Sequence, residues 1–131
     1  MKEYLKGHLD AMFLCHGVVV ELNVSNSSIP DFDQTLLVNV RSNVHIMSLA
    51  FPFLKTIKKS SITLLTSSAG IVPDPRATVM SIGSAMVKQL IECSALEGAY
   101  HGIRVNGVAA GVTNTRARMA TESMTQKLDA G

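Results

Sequence analysis

Apolar residues in this chain fall into short unbroken runs and longer stretches with helical spacing. The short runs are Ala11-Met12-Phe13-Leu14-Cys15, Ser61-Ile62-Thr63-Leu64-Leu65-Thr66 and Ile103-Arg104-Val105-Asn106-Gly107-Val108. They lack sustained polar alternation, which predicts strands covered on both faces. Residues 21–30 are rich in Asn, Ser and Pro and read as a loop. Asp31 or Asp33 is then expected to cap a helix carrying Leu36, Leu37, Val40, Val44, Met47, Leu49, Phe51 and Leu54. Pro52 lies inside that stretch and predicts a kink or an early end near Ala50. The second strand closes at Ser67-Ser68-Ala69-Gly70, and a further loop holds Pro73-Asp74-Pro75. A second helix is expected from about Ala77 to Ala99. There Val79, Ile82, Met86, Leu90 and Cys93 recur at spacings of three and four, predicting one apolar face. His101-Gly102 ends it, with Gly102 suited to the left-handed C-terminal position.

Strands separated by helices of this length are parallel and joined by right-handed crossovers. The fold class is therefore α/β: a β-α-β-α-β piece of a doubly wound, Rossmann-like parallel sheet, with three strands and two long helices. Residues 1–8 read as a leader, 9–112 as the core and 113–131 as a polar, Met-dotted tail or short helix. Together they form a single domain without internal repeats.

Composition narrows the partners. The 131 residues are 47% apolar and only 17% charged, so disorder is excluded. Aromatics are scarce at 5% and Trp is absent, so the core must be aliphatic. A net charge of +2 is too small to argue for nucleic acid, and Lys55, Lys58 and Lys59 read as a helix C-terminus. Cys15 and Cys93 are far apart, and His8, His16, His45 and His101 show no ligand spacing, so no metal is expected. Cys15 and His16 are adjacent on a strand and face opposite ways, which argues against a Cys-His nucleophile. No apolar stretch reaches the length of a membrane span, and the first seven residues are too polar for a signal peptide. A cytoplasmic setting follows, and the Asn23-Val24-Ser25 and Asn26-Ser27-Ser28 sequons are chance matches.

Over most of residues 9–115 the chain resembles the short-chain dehydrogenase/reductase family without gaps. The family's Asn-Asn-Ala-Gly strand end resembles Leu14-Cys15-His16-Gly17, and its helix-borne Asn resembles Asn39 in Val38-Asn39-Val40. Its Ser-x-Ala-Gly is similar to Ser67-Ser68-Ala69-Gly70. Leu96-Glu97, followed by Gly102-Ile103-Arg104-Val105-Asn106, is similar to its helix end and next strand. Its Pro-Gly-x-x-x-Thr resembles Ala110-Gly111-Val112-Thr113-Asn114-Thr115.

The resemblance implies an NAD(P)-dependent oxidoreductase acting on carbonyls or alcohols, and it exposes two departures. The family's catalytic Tyr lies thirteen residues after the Ser, and its Lys four residues later. Counting from Ser67 gives Met80 and Ser84, and counting back from Glu97 gives the same positions. Delivering a proton to a forming alkoxide suits a Tyr hydroxyl whose pKa an ammonium lowers. Met has no exchangeable proton and Ser no charge. Losing a general acid costs about 10²–10⁴-fold in rate. Tyr4 and Tyr100 lie elsewhere, and Lys88, one turn beyond Ser84, lacks a matching phenol. Asn39 and Ser67 are thus remnants of the catalytic set, with helix-to-backbone and strand-end roles favoured.

The second departure concerns the cofactor. No Gly-rich turn precedes residue 9, so the family's first βαβαβ half is not represented. Cys15, Gly17, Gly111, Thr113 and Thr115 would be vestiges of its nicotinamide side. No cofactor is expected for the chain alone, and NAD or NADP only if the missing half is supplied. The family's long helices commonly pack against a second subunit, and the Ala11–Leu14 strand would present an open edge. A homo-oligomer through the helices or that edge is the expected partner. The resulting expectation is a truncated homologue, inactive alone, with a structural or interaction role.

Overall fold

The computed structural model describes residues 7–57 and 59–115. Strand β1 (Ala11–Leu14) leads through a 3₁₀ turn at Val24–Asn26 to helix α1 (Ile29–Thr35). A π-helical turn (Leu36–Arg41) then runs into α2 (Ser42–Leu54). Strand β2 (Ser61–Ser67), a short turn at Ser68–Gly70, helix α3 (Thr78–Ala99) and strand β3 (Arg104–Ala110) complete the order among the described residues. The strands lie in the order β1-β2-β3, all parallel. In register, Met12 faces Ile62, which faces Val105, and Ser67 faces Ala110.

The first helix starts earlier than Asp31. Ser28 caps it: its Oγ accepts from the Asp31 backbone N–H at 3.3 Å, its hydroxyl donates to the Asp31 carboxylate, and Pro30 occupies the first turn. Residues 21–30 are therefore not wholly loop. The helix also does not end near Ala50. Ser48 and Pro52 both lie on the exposed side of the helix, which runs through the proline to Leu54. Lys55 N–H closes it on the Phe51 carbonyl at 3.0 Å. The third strand runs to Ala110, two residues past the expected Val108. Gly102 is left-handed at φ 72°, as expected.

Leu14, Ile62, Leu64 and Val105 pack with Met47, Ala50, Phe51, Leu54, Val87 and Ile103 into one aliphatic core. That core lies on a single side of the sheet. Both crossovers step in the same direction along β1-β2-β3, and a right-handed connection then places both helices on one face. The strands are therefore not covered on both faces among the described residues. Phe13 (59%), Leu65 (37%) and Val108 (50%) are exposed on the other side.

The apolar face of α3 also differs from expectation. Val79, Gly83, Val87, Ser94 and Gly98 are buried, whereas Ile82, Met86 and Cys93 are exposed. Close approach chose the face. A Cβ on Gly98 would lie 2.8 Å from the Ile103 carbonyl oxygen, and one on Gly83 would lie 3.1 Å from Thr35 Cγ2. Leu37, Val44 and Leu49 likewise turn outward from the first long helix. The 116–131 part of the expected tail and residues 1–6 of the leader lie outside the described residues.

Candidate functional site

The carboxyl ends of parallel strands are where α/β sheets bind ligands, and the expected residues gather at those ends. At the β1 exit, Asn39 clamps the Val18 peptide from both sides. Its Oδ1 accepts the Val18 N–H and its Nδ2 donates to the Val18 carbonyl, each at 2.8 Å. A Cβ on Gly17 would sit 3.3 Å from Asn39 Oδ1, so this glycine keeps the clamp close. Asn39 lies in the π-helical turn, and its carbonyl accepts Asn43 Nδ2 at 2.7 Å. Asn39 is thus bonded to the backbone beyond β1.

His16 Nε2 lies 2.5 Å from Ser42 Oγ, which also donates to the Val38 carbonyl. Its partner is on the helix. Cys15 is a free, exposed thiol.

At the β2 exit, Ser67 Oγ accepts the Ala69 N–H at 3.2 Å, the strand-end role favoured for it. The turn that follows lies directly on α3. Thr66 Oγ1 donates to the Ser84 carbonyl at 3.2 Å, and a Cβ on Gly70 would lie 2.6 Å from the Ser84 carbonyl carbon. Position 84 is therefore adjacent to the Ser67–Gly70 turn. Met80, half-buried, is one helical turn away on α3.

Gly111, Thr113 and Thr115 stand exposed beyond β3, and Thr113 Oγ1 donates to the Gly111 carbonyl at 3.1 Å. Around Gly111 a Cβ would meet nothing within 4 Å. Gly17, by contrast, faces the Asn39 amide, not open space. No group of three or more His, Cys, Asp or Glu assembles into a metal site among the described residues. Nor is any described helix long and apolar enough to cross a membrane.

Among the described residues the strand ends offer hydroxyls, an amide, a thiol and the His16 imidazole. Tyr100 caps the far end of α3 and is 90% exposed, at the opposite end of the sheet from Ser67. Lys88 Nζ is paired with Glu92 at 2.6 Å. The strongest electrostatic feature lies on the loop before α3. There the Arg76 guanidinium and backbone N–H bond the Asp74 carboxylate and hold its pKa down to about 2.

Two buried residues escaped the sequence reading. Thr35 (1% exposed) and Asn43 (2%) carry an Oγ1 and an Oδ1 without a hydrogen-bond partner. Thr35, Asn39 and Asn43 recur every four residues within an apolar helix, and that polar stripe was the available signal.

A family profile described as enoyl-(acyl carrier protein) reductase matches residues 1–130. An uncharacterized oxidoreductase of Thermotoga maritima is 32% identical over 114 residues, covering 87% of this chain and 45% of its own length. A tropinone reductase homolog of Datura stramonium is 27% identical, covering 83% of this chain and 41% of its own. Among solved structures, ElxO with NADP bound superposes with a TM-score of 0.85 at 20% identity, over 95% of this chain and 52% of that one. An NADPH-bound short-chain oxidoreductase from Pseudomonas aeruginosa PAO1, described as having an atypical catalytic center, gives 0.84 at 21% identity, over 94% and 48%. The chain thus spans about half the length of the relatives it matches.

Proposed function

Because the chain belongs to the short-chain dehydrogenase/reductase family, we propose that it is a member disabled for hydride transfer whose role is assembly. One observation carries this reading: Met80 and Ser84 stand where the family places its Tyr and Lys. The packing of Ser84 against Gly70 supports that alignment. Met80 has no exchangeable proton, and Ser84 carries no charge to lower a neighbour's pKa at neutral pH.

The assembly surface is the outer face of the helices. Leu36, Leu37, Val40 and Met86 line an apolar groove of about 550 Å³, with Asp33 and Arg41 also at its walls. Asp33 and Arg41 are opposite in charge and about two helical turns apart. A two-fold copy pairs Asp33 with the partner's Arg41 and the reverse, which makes the surface self-complementary. We therefore assign its occupant as a second copy of this chain.

A second reading is supported by the half-length matches and by the NADP-bound neighbours. In it, the chain is the nicotinamide-side part of an NAD(P)-dependent oxidoreductase for carbonyl or alcohol substrates, completed by a Gly-rich half. Hydride transfer from NADPH to a carbonyl, measured with a Gly-rich family half supplied in trans, separates the two. The assembly reading predicts no turnover above background. Saturable turnover overturns it in favour of the second.

A further inference from the structure

We propose that His16, acting through Ser42, is the latch on the π-helical turn that presents Asn39 to the β1 exit. The need for a latch arises in the turn itself. In an α-helix each N–H serves the carbonyl four residues back, whereas at the end of Leu36–Arg41 the Ser42 N–H reaches back to Leu37. The return to α-helical spacing in α2 therefore leaves one carbonyl more than there are backbone donors at the junction. Two side chains supply donors at that place. Ser42 Oγ donates to the Val38 carbonyl at 2.5 Å, and Asn43 Nδ2 donates to the Asn39 carbonyl at 2.7 Å.

The Ser42 bond fixes the state of His16. A carbonyl only accepts, so the single hydroxyl proton of Ser42 is committed to Val38. The Ser42 oxygen must then accept, and His16 Nε2, 2.5 Å away, must be the N–H donor. A neutral His16 is thereby held as the tautomer protonated at Nε2, with Nδ1 as the acceptor nitrogen.

The same stretch of chain is tied to the helix a second time. His16 is two residues before Val18, whose peptide Asn39 holds from both sides at 2.8 Å. Asn39 and Ser42 are neighbours on the helix surface, three residues apart, and their partners flank Gly17. The β1 exit and the π-helical turn consequently hold each other: loss of the His16 donor loosens Ser42 on Val38, and with it the seat of Asn39. His16 is a positioning residue, acting on Asn39 through Ser42.

The test uses the full chain. Nitrogen-15 NMR of the neutral His16 ring is expected to show the proton on Nε2; a ring protonated at Nδ1 alone overturns the assignment. Native-state hydrogen exchange then compares the parent with His16→Ala, Ser42→Ala, the double variant and His16→Gln, whose amide can donate to Ser42. His16→Ala is expected to speed exchange of the Val18 N–H by roughly fivefold, the equivalent of one hydrogen bond, while core amides of β2 and β3 keep the parent's rate. Ser42→Ala speeds it at least as much, adding His16→Ala to it has no further effect, and His16→Gln stays near the parent. Unchanged exchange at Val18 in His16→Ala overturns the latch. Equal acceleration at Val18 and in the core strands also overturns it, because that marks a general loss of stability and not release of the turn.

Discussion

Gly70→Ala is the substitution that most sharply probes where β2 meets α3. A Cβ there would lie 2.6 Å from the Ser84 carbonyl carbon, 2.7 Å from the Ala85 nitrogen and 2.8 Å from Ser84 Cβ. Two of these three atoms are helix backbone, which cannot swing aside as a side-chain tip does. Overpacking of this kind costs about 1–3 kcal/mol. Separating the elements also endangers the 3.2 Å bond from Thr66 Oγ1 to the Ser84 carbonyl, a further contribution of about 0.5–1.5 kcal/mol. Against this, alanine narrows the unfolded ensemble and returns about 0.4–1 kcal/mol. The net is a loss of about 2 kcal/mol, or about 6–10 °C in Tm for a chain this size. Gly111→Ala is the control, because its Cβ would meet nothing within 4 Å; it is expected to be neutral or stabilising by about 0.5 kcal/mol. Thermal unfolding followed by far-ultraviolet circular dichroism measures both. If Gly70→Ala melts with the parent, Ser84 is not against the turn and its assignment to the family's Lys position fails.

Asn39→Ala removes both bonds to the Val18 peptide and is expected to cost about 2–3 kcal/mol, read by urea denaturation. Asn39→Asp keeps the acceptor but loses the donor, and should fall between Ala and the parent. The Asp74 carboxylate, lowered from 3.8 to about 2 by Arg76, stabilises the fold above the unfolded value. That contribution is lost as pH falls from about 4 through 2. Asp74→Asn should therefore flatten the parent's stability-versus-pH curve over that window, leaving the variant less stable than the parent near neutrality and equal to it at the acid end; an unchanged curve contradicts the pairing with Arg76.

Much of the framework was legible in the sequence because it depends on local pattern. The three strands, the crossovers and the left-handed Gly102 follow from apolar runs, intervening length and one glycine. The misread elements each depend on a three-dimensional fact. Pro52 could remain in its helix because Ser48 and Pro52 face water, which spacing does not encode. The buried face of α3 contains Gly83 and Gly98 because neighbouring chain comes within van der Waals reach, and a hydrophobicity count ignores glycine. The single covered face of the sheet follows from both crossovers stepping the same way, not from strand composition.

At the site, motif spacing located Asn39, Ser67, Met80 and Ser84, yet not what holds them. The Asn39 grip on Val18, its link to Asn43 and the contact of Gly70 with Ser84 all join residues distant in sequence.

The most direct test is hydride transfer with a Gly-rich family half supplied in trans, followed as loss of nicotinamide absorbance with NADPH and a panel of ketones and aldehydes, for the parent and for the Met80→Tyr, Ser84→Lys double variant. With Met80 and Ser84 in the Tyr and Lys positions, consumption by the parent is expected to match the protein-free background and to rise only in the double variant. Saturable turnover by the parent, dependent on the carbonyl, would contradict the account.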